Sequence, residues 1–328
     1  MSVLKILRHV EWWEYKLPPL LSIAYATLIL NDQNIADHAI TVLLTLLSLV
    51  VGATYVSIIN DITDVKDDLA AGKSNRMAGF RPALRILFPA ICLFLGFLFF
   101  IFFYWPDQLS CFFYLIPWIL FSMYSFYPVR LKNRGIWGVF ADAGGSHIFT
   151  SLLTVSVMYY AFQKMVDHTW LLLVGIWALL YGMRGILWHQ FHDRNNDIRS
   201  GITTFATERS PSSFRKPERI ILFVELLATS GIIIKLNNPF VYTAITVYAI
   251  LVVLRYRKMG QQPVIIIEPA SRSYQILMLD FMQALFPLSL LLYASLYQPG
   301  GWIVLLIHIT LFPFKTLQIL KDLKRCII

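Results

Sequence analysis

The chain has 328 residues and a formal net charge of +9, yet only 14% of its residues are charged, while 57% are hydrophobic and 15% aromatic. A soluble domain carries roughly 25% charged residues, so this composition excludes a soluble globule, a disordered chain and a secreted disulfide scaffold. It admits a polytopic membrane protein, provided the apolar residues fall in runs of about 20.

They do. Residues 1–16 ("MSVLKILRHVEWWEYK") read as an amphipathic interfacial helix, with Trp12, Trp13 and Tyr15 at headgroup depth. Glu11 and Glu14 lie among its basic residues and no small-residue cleavage site follows, so a cleavable signal peptide is not expected. Residues 17–328 read as a single transmembrane domain. Its apolar segments fall near 18–31, 38–59, 86–105, 109–127, 136–162, 169–191, 219–234, 239–254, 274–297 and 302–320. The expected fold class is all-α: a polytopic membrane helical bundle of nine to ten transmembrane helices around a central cavity.

Basic residues set the orientation. Of the 28 Lys and Arg residues, 23 fall in the N-terminus, alternate loops and the C-terminus, whereas the intervening connections hold only Lys164 and Lys235. Both termini and the loops after the second and sixth segments are therefore expected on the cytoplasmic side. This bias explains the net charge without a nucleic-acid partner, and membrane lipid with anionic headgroups is the natural counterion. Cys92, Cys111 and Cys326 have no metal-binding or redox spacing, and Cys326 stands one residue short of a prenylation box.

Charge is informative where it is unexpected. "NDITDVKDD" (Asn60–Asp68) closes the second segment. At about 100° per residue, Asp61, Asp64 and Asp68 share one helical face; Asn60 flanks them, and Asp67 points elsewhere as a solvated charge. Three stacked carboxylates repel unless a cation lies between them. Oxygen-only ligands with room for water and phosphate select Mg²⁺. "WHQFHDRNNDIRSGITTFA" (188–206) closes the sixth segment. There His189, Asp193 and Asp197 share a face at i, i+4 spacing, and Gly201 ends the helix or admits a ligand to the backbone. Two acidic stripes at equivalent ends of two membrane helices can hold a pair of Mg²⁺ ions around a diphosphate. Basic residues would share the remaining charge, and Lys73, Arg76, Arg130 and Lys132 lie in adjacent loops. An aromatic-lined bundle beneath would accept an isoprenoid tail and stabilise a carbocation.

In these features the chain resembles the UbiA-type intramembrane prenyltransferase superfamily. Its members carry N-D-x-x-D-x-x-x-D after the second helix and D-x-x-x-D after the sixth, here Asn60, Asp61, Asp64, Asp68 and Asp193, Asp197. The D-x-x-x-G-x-x-T tail matches as Asp197, Gly201 and Thr204, and "YPVRLKNRG" is similar to the family's loop after the fourth helix. The resemblance covers about residues 15–300. It implies that the Asn and Asp residues bind Mg²⁺–diphosphate and that Lys73, Arg76, Tyr127 and Lys132 hold or bury it. Members with an asparagine-arginine-proline stretch after the first motif differ from "SNRMAGFRP" here, which leaves Arg76 and Arg81 competing for one role. Arg184, an intramembrane cation, is open between a substrate contact and a partner for an acid. Asp142 and His147, in "FADAGGSH", either orient and deprotonate an acceptor or form a satisfied buried pair.

The expected activity is Mg²⁺-dependent transfer of a prenyl group from an isoprenoid diphosphate, by ionisation to an allylic cation, onto an unidentified acceptor. Within the superfamily the alternatives are terpene cyclisation and phosphoribosyl transfer to a polyprenyl phosphate. A CDP-alcohol phosphotransferase would need D-G-x-x-A-R, whereas Asp61 is followed by Ile62 and Thr63. A transporter or lipid-binding protein would carry its ionisable residues near the midplane, where only Asp142 and Arg184 support it.

Overall fold

The structure is a computed structural model that describes residues 9–70, 72, 74–199, 201–269 and 273–327. Among the described residues, helices account for most of each apolar segment. Helix α1 spans His9–Leu30, α2 Ala39–Ala70, α3 Pro82–Phe99 with a π-helical end to Tyr104, and α4 Gln108–Ser125. Helices α5 (Ile136–Ala143) and α6 (Phe149–Ala161) join through a π-turn at Gly144–Ile148. Then come α7 (His168–Arg199), α8 (Pro211–Leu236) and α9 (Pro239–Met259). Two three-residue strands, β1 (Gln262–Val264) and β2 (Tyr274–Ile276), pair in parallel. A second π-turn at Phe281–Leu285 leads into α10 (Phe286–Tyr297), followed by α11 (Gly301–Leu311) and α12 (Pro313–Ile327).

Among the described residues, five helices are long and apolar enough by themselves to cross a membrane: α2, α3 with its π-helical end, α4, α7 and α9. The segment expected at 302–320 is not one straight rod, because the chain bends by 84° between α11 and α12. Pro313 is the cause: it offers no amide hydrogen to continue α11 and is favoured at the first position of the next helix. Helix α12 is held by α1, where the Glu14 carboxylate accepts the amide hydrogens of Phe314 (3.0 Å) and Lys315 (3.0 Å). These are two of the donors that every helix start leaves without an intrahelical partner.

The domain boundary expected after residue 16 falls inside α1, which runs unbroken through Pro18 and Pro19. Pro19 removes the amide that would bond the Tyr15 carbonyl, and the Gln283 side chain donates to that carbonyl instead (3.2 Å). Trp12 and Trp13, on the same helix, both pack against other parts of the chain. Trp12 is buried against the central cavity. Trp13 stacks on Phe312 and donates to the Leu311 carbonyl (2.8 Å).

The bundle closes tightly where side chains are small. A Cβ on Gly96 would lie 2.6 Å from the Trp118 ring, and one on Gly145 would lie 2.5 Å from the Phe121 ring. The "AGG" run of the fifth segment thus supplies the close helix approach that small residues permit in membranes.

Candidate active site

Helix length places the carboxylates. Helices α2 and α7 each have 32 residues, about 48 Å at 1.5 Å per residue, against a hydrocarbon core of about 30 Å. Asp61 begins the last three turns of α2, and Asp193 and Asp197 lie in the last two turns of α7. Each acidic stripe is therefore carried on a helical overhang, where solvation of charge is least costly. Tyr124, at the end of α4, has Asp64 of α2 and Asp197 of α7 among its neighbouring charges, so the two stripes lie at the same end of the bundle.

The first stripe is threaded with cations. Asp61 is buried and faces the Arg76 guanidinium (3.4 Å). Asp64 pairs with Arg130 (2.9 Å) and Lys132 (2.5 Å). Asp68 accepts from Asn75 (2.8 Å), which also donates to the Asp61 carbonyl (2.8 Å). The Asn60 side-chain oxygen accepts from Ser125 (2.5 Å), tying α2 to α4. Asp67 is not the isolated solvated charge expected: it is half exposed but shares Arg130 with Asp64, at 2.6 Å. Asp64 and Asp67, three residues apart, are neighbours on the helix surface, so one guanidinium nitrogen serves both.

Arg130 sits in a tight turn. Its φ is +41°, a left-handed conformation rare for non-glycine residues, and its side chain is 6% exposed beneath two carboxylates. Its guanidinium also lies over the Tyr127 ring (4.5 Å). Tyr127 is 71% exposed, so it stacks beneath a cation and does not itself reach the carboxylates. Burial lowers the Lys132 ammonium below the usual lysine range, and the neighbouring Asp64 opposes that shift.

On the second stripe, Asp197 is buried and Asp193 half exposed, with His189 3.9 Å from Asp193. The helix ends at Arg199. Gly201 adopts φ +67°, and the Ile202 amide returns to the Asp197 carbonyl (2.9 Å). Of the two readings of Gly201, helix termination is the one its geometry displays.

Three expectations change. Arg76 faces Asp61, whereas Arg81 is exposed at the start of α3, which separates the two competitors. Arg184 does not reach either stripe with its donors: it forks onto the fully buried Glu225 and donates to the Leu277 carbonyl (2.9 Å). It is the partner of an acid, because a guanidinium this deep requires one. Asp142 and His147 do not bond each other. Asp142 holds Ser146, and the buried His147 ring stands edge-on to Tyr181 (5.1 Å) with Nδ1 bonded to no described residue. Lys73 lies outside the described residues. Asn75, Ser125 and Glu225 were not anticipated, since each acts through a partner distant in sequence.

Beneath the stripes lies a cavity of about 120 Å³ among α1, α2, α4 and the α5–α6 π-turn. Tyr55, Trp118, Phe121 and Tyr114 line it, with Lys16 as the one cation of its wall. Tyr55 is held by Ser122 (2.8 Å) and packs on Trp118 (4.9 Å between centroids).

The donor set suits a hard cation, since it consists of carboxylates and amide oxygens. Among the described residues no three His, Cys, Asp or Glu side chains already converge on one point.

The model of the UbiA prenyltransferase family matches residues 20–264, three quarters of the chain. The chain belongs to that family, and it is a helical integral membrane protein. Among solved structures it is similar to a UbiA homologue from Archaeoglobus fulgidus bound to DMAPP and Mg²⁺. The TM-score is 0.56 and the identity 16%, over 89% of this chain and 98% of that one. A second structure of a UbiA homologue from the same organism, bound to GPP and Mg²⁺, matches at a TM-score of 0.46 and 14% identity, over 99% of each chain. A search of curated protein sequences gives no match.

Proposed function

We propose that the protein is an Mg²⁺-dependent intramembrane prenyltransferase that takes its prenyl group from an isoprenoid diphosphate. One observation carries this reading: two acidic overhangs, the first interleaved with Arg76, Arg130 and Lys132, stand over an aromatic-lined apolar cavity. The UbiA homologue with the same fold binds DMAPP and Mg²⁺.

Asn60, Asp61, Asp64, Asp68, Asp193 and Asp197 would hold Mg²⁺, which neutralises the diphosphate and makes it a better leaving group. Arg76, Arg130 and Lys132 bring further positive charge to the same rim, and Arg130 and Lys132 are pre-positioned by Asp64 and Asp67. His189 stands at the edge of the second stripe, 3.9 Å from Asp193, and would contact the diphosphate. The cavity takes the prenyl chain. Its dry walls keep water from an allylic cation, and the Tyr55, Trp118 and Phe121 rings offer π-faces to the positive charge. The rim faces the cytoplasm, with both termini on that side, as an even number of membrane crossings requires.

The test is diphosphate release by purified protein from geranyl, farnesyl and geranylgeranyl diphosphate, with and without Mg²⁺, and with products read by mass spectrometry. Mg²⁺-dependent release or Mg²⁺-dependent binding of one of these donors is expected. A hydrocarbon product without acceptor would identify a cyclase instead. Failure to bind any prenyl diphosphate would overturn the proposal. Solute flux in liposomes that survives removal of Mg²⁺ would mark a transporter.

A further inference from the structure

Residues 262–269 and 273–280 follow α9 and lie at the end of the bundle that bears the acidic stripes. Residues 265–280 lie beyond the stretch matched by the family model. The two described arms, 262–269 and 273–280, form a strap pinned at three places. Glu218 of α8, almost fully buried, accepts the amide hydrogens of Ile266 (3.1 Å) and Ile267 (3.0 Å) on one oxygen and Arg215 (3.0 Å) on the other. Ile266 and Ile267 are buried with Val139, Leu187 and Phe214, so the strap wedges into a small core shared by α5, α7 and α8. Arg184 of α7 donates to the Leu277 carbonyl on the other arm.

The third pin touches the second acidic stripe. Glu268 accepts from the Tyr274 hydroxyl (2.6 Å) and pairs with His192 Nδ1 (2.9 Å), and both meet the same carboxylate oxygen. His192 immediately precedes Asp193 and stacks on Trp188, one turn back along α7 (5.4 Å, 25° between planes). Tyr274 begins β2, whose pairing with β1 fixes the carboxylate's neighbour in place.

Physical reasoning gives this contact a task. The carbonyls in the last turn of a helix lack intrahelical donors, and such ends fray at little cost. The α7 overhang ends in Gly201 two turns after Asp193, and an unrestrained end would sweep Asp193 and Asp197 through several ångströms. Ligand carboxylates must be held far more closely than that. We infer that the strap locks the overhang of α7 through Glu268, making Glu268 a positioning residue for the carboxylates Asp193 and Asp197. The inference rests on the reading that those two residues hold the divalent cation.

The experiment titrates the full-length protein in detergent with Mn²⁺ alone, reading free Mn²⁺ by electron paramagnetic resonance, and follows hydrogen exchange across residues 188–199. Outer residues that orient metal ligands typically contribute about 10–100-fold in affinity. Glu268→Ala is expected to weaken Mn²⁺ binding about tenfold and to speed exchange in 188–199, with exchange in α2 unchanged. Glu268→Gln keeps an acceptor oxygen and is expected to restore both toward the parent values. Should Glu268→Ala fail to fold, Tyr274→Phe removes a single hydroxyl from the same oxygen and is expected to give a smaller loss of the same kind. Equal Mn²⁺ affinity in the parent protein and a folded variant would overturn the strap's role alone. A parent protein that binds no Mn²⁺ would overturn the metal reading on which it rests.

Discussion

Asp64 occupies the centre of the rim, bonded to both Arg130 and Lys132. Replacing it by Asn removes a charged metal ligand at nearly constant volume, and Asp67 still neutralises Arg130. Asp64→Asn is therefore expected to abolish Mg²⁺-dependent diphosphate release while leaving the thermal unfolding midpoint close to that of the parent. An active, folded variant would remove Asp64 from the metal set. Gly145 tests the cavity below. Its missing Cβ makes room for the Phe121 ring, which would lie 2.5 Å away. Overpacking of a tight core costs typically about 1–3 kcal/mol, so Gly145→Ala is expected to lower the unfolding midpoint and to favour shorter prenyl donors over longer ones. Competition between geranyl and geranylgeranyl diphosphate measures the second effect.

At the scale of elements, hydrophobic matching and overhang do the positioning. Helices α2 and α7 exceed the membrane core by several turns, and those turns carry both stripes. The C-terminal α12 depends on a different device, the Glu14 carboxylate at its N-terminus, supported by Lys315 on Asp280 (3.1 Å) and Arg255 on Asp322 (2.8 Å). Hydrogen bonds to a charged group contribute about 1.5–3 kcal/mol. Glu14→Ala is expected to release α12 from α1, seen as faster proteolysis within 313–327 and as little change in the far-ultraviolet helix signal. Unchanged proteolysis would show that the Asp280 and Asp322 pairs hold the helix by themselves.

For the whole molecule, the distribution of Lys and Arg and the location of the site make one joint statement about sidedness. Met165, 90% exposed between α6 and α7, lies in a connection poor in basic residues. Lys258, exposed at the end of α9, lies in a basic one. In a background without the three native cysteines, Met165→Cys is expected to react with an impermeant maleimide from outside intact cells. Lys258→Cys is expected to react only after permeabilisation. Reaction of both from one side would overturn the proposed topology.

Much of this architecture is dictated locally. Runs of apolar residues must be helical in a bilayer, because no water is present to satisfy backbone groups. The 100° helical step alone puts Asp61, Asp64 and Asp68 on one face, and a glycine after Asp197 ends α7 without steric cost. Those features needed no tertiary information. Partner choice did. Arg184 and Glu225 stand 41 positions apart, and nothing local distinguishes an arginine awaiting phosphate from one neutralised by a buried acid on the next helix. Asp67 looked solvated because helical geometry ignores a guanidinium arriving from the turn at 130. The Pro19 gap filled by Gln283, the bend before α12, the cavity's shape and the strap over α7 depend on which surfaces meet. Composition, apolar runs and helical spacing specify the class of molecule, most of its helical segments and the carboxylates it presents. Which charges face one another is set by the folded bundle, because electrostatic pairing acts through space between groups that the chain keeps far apart.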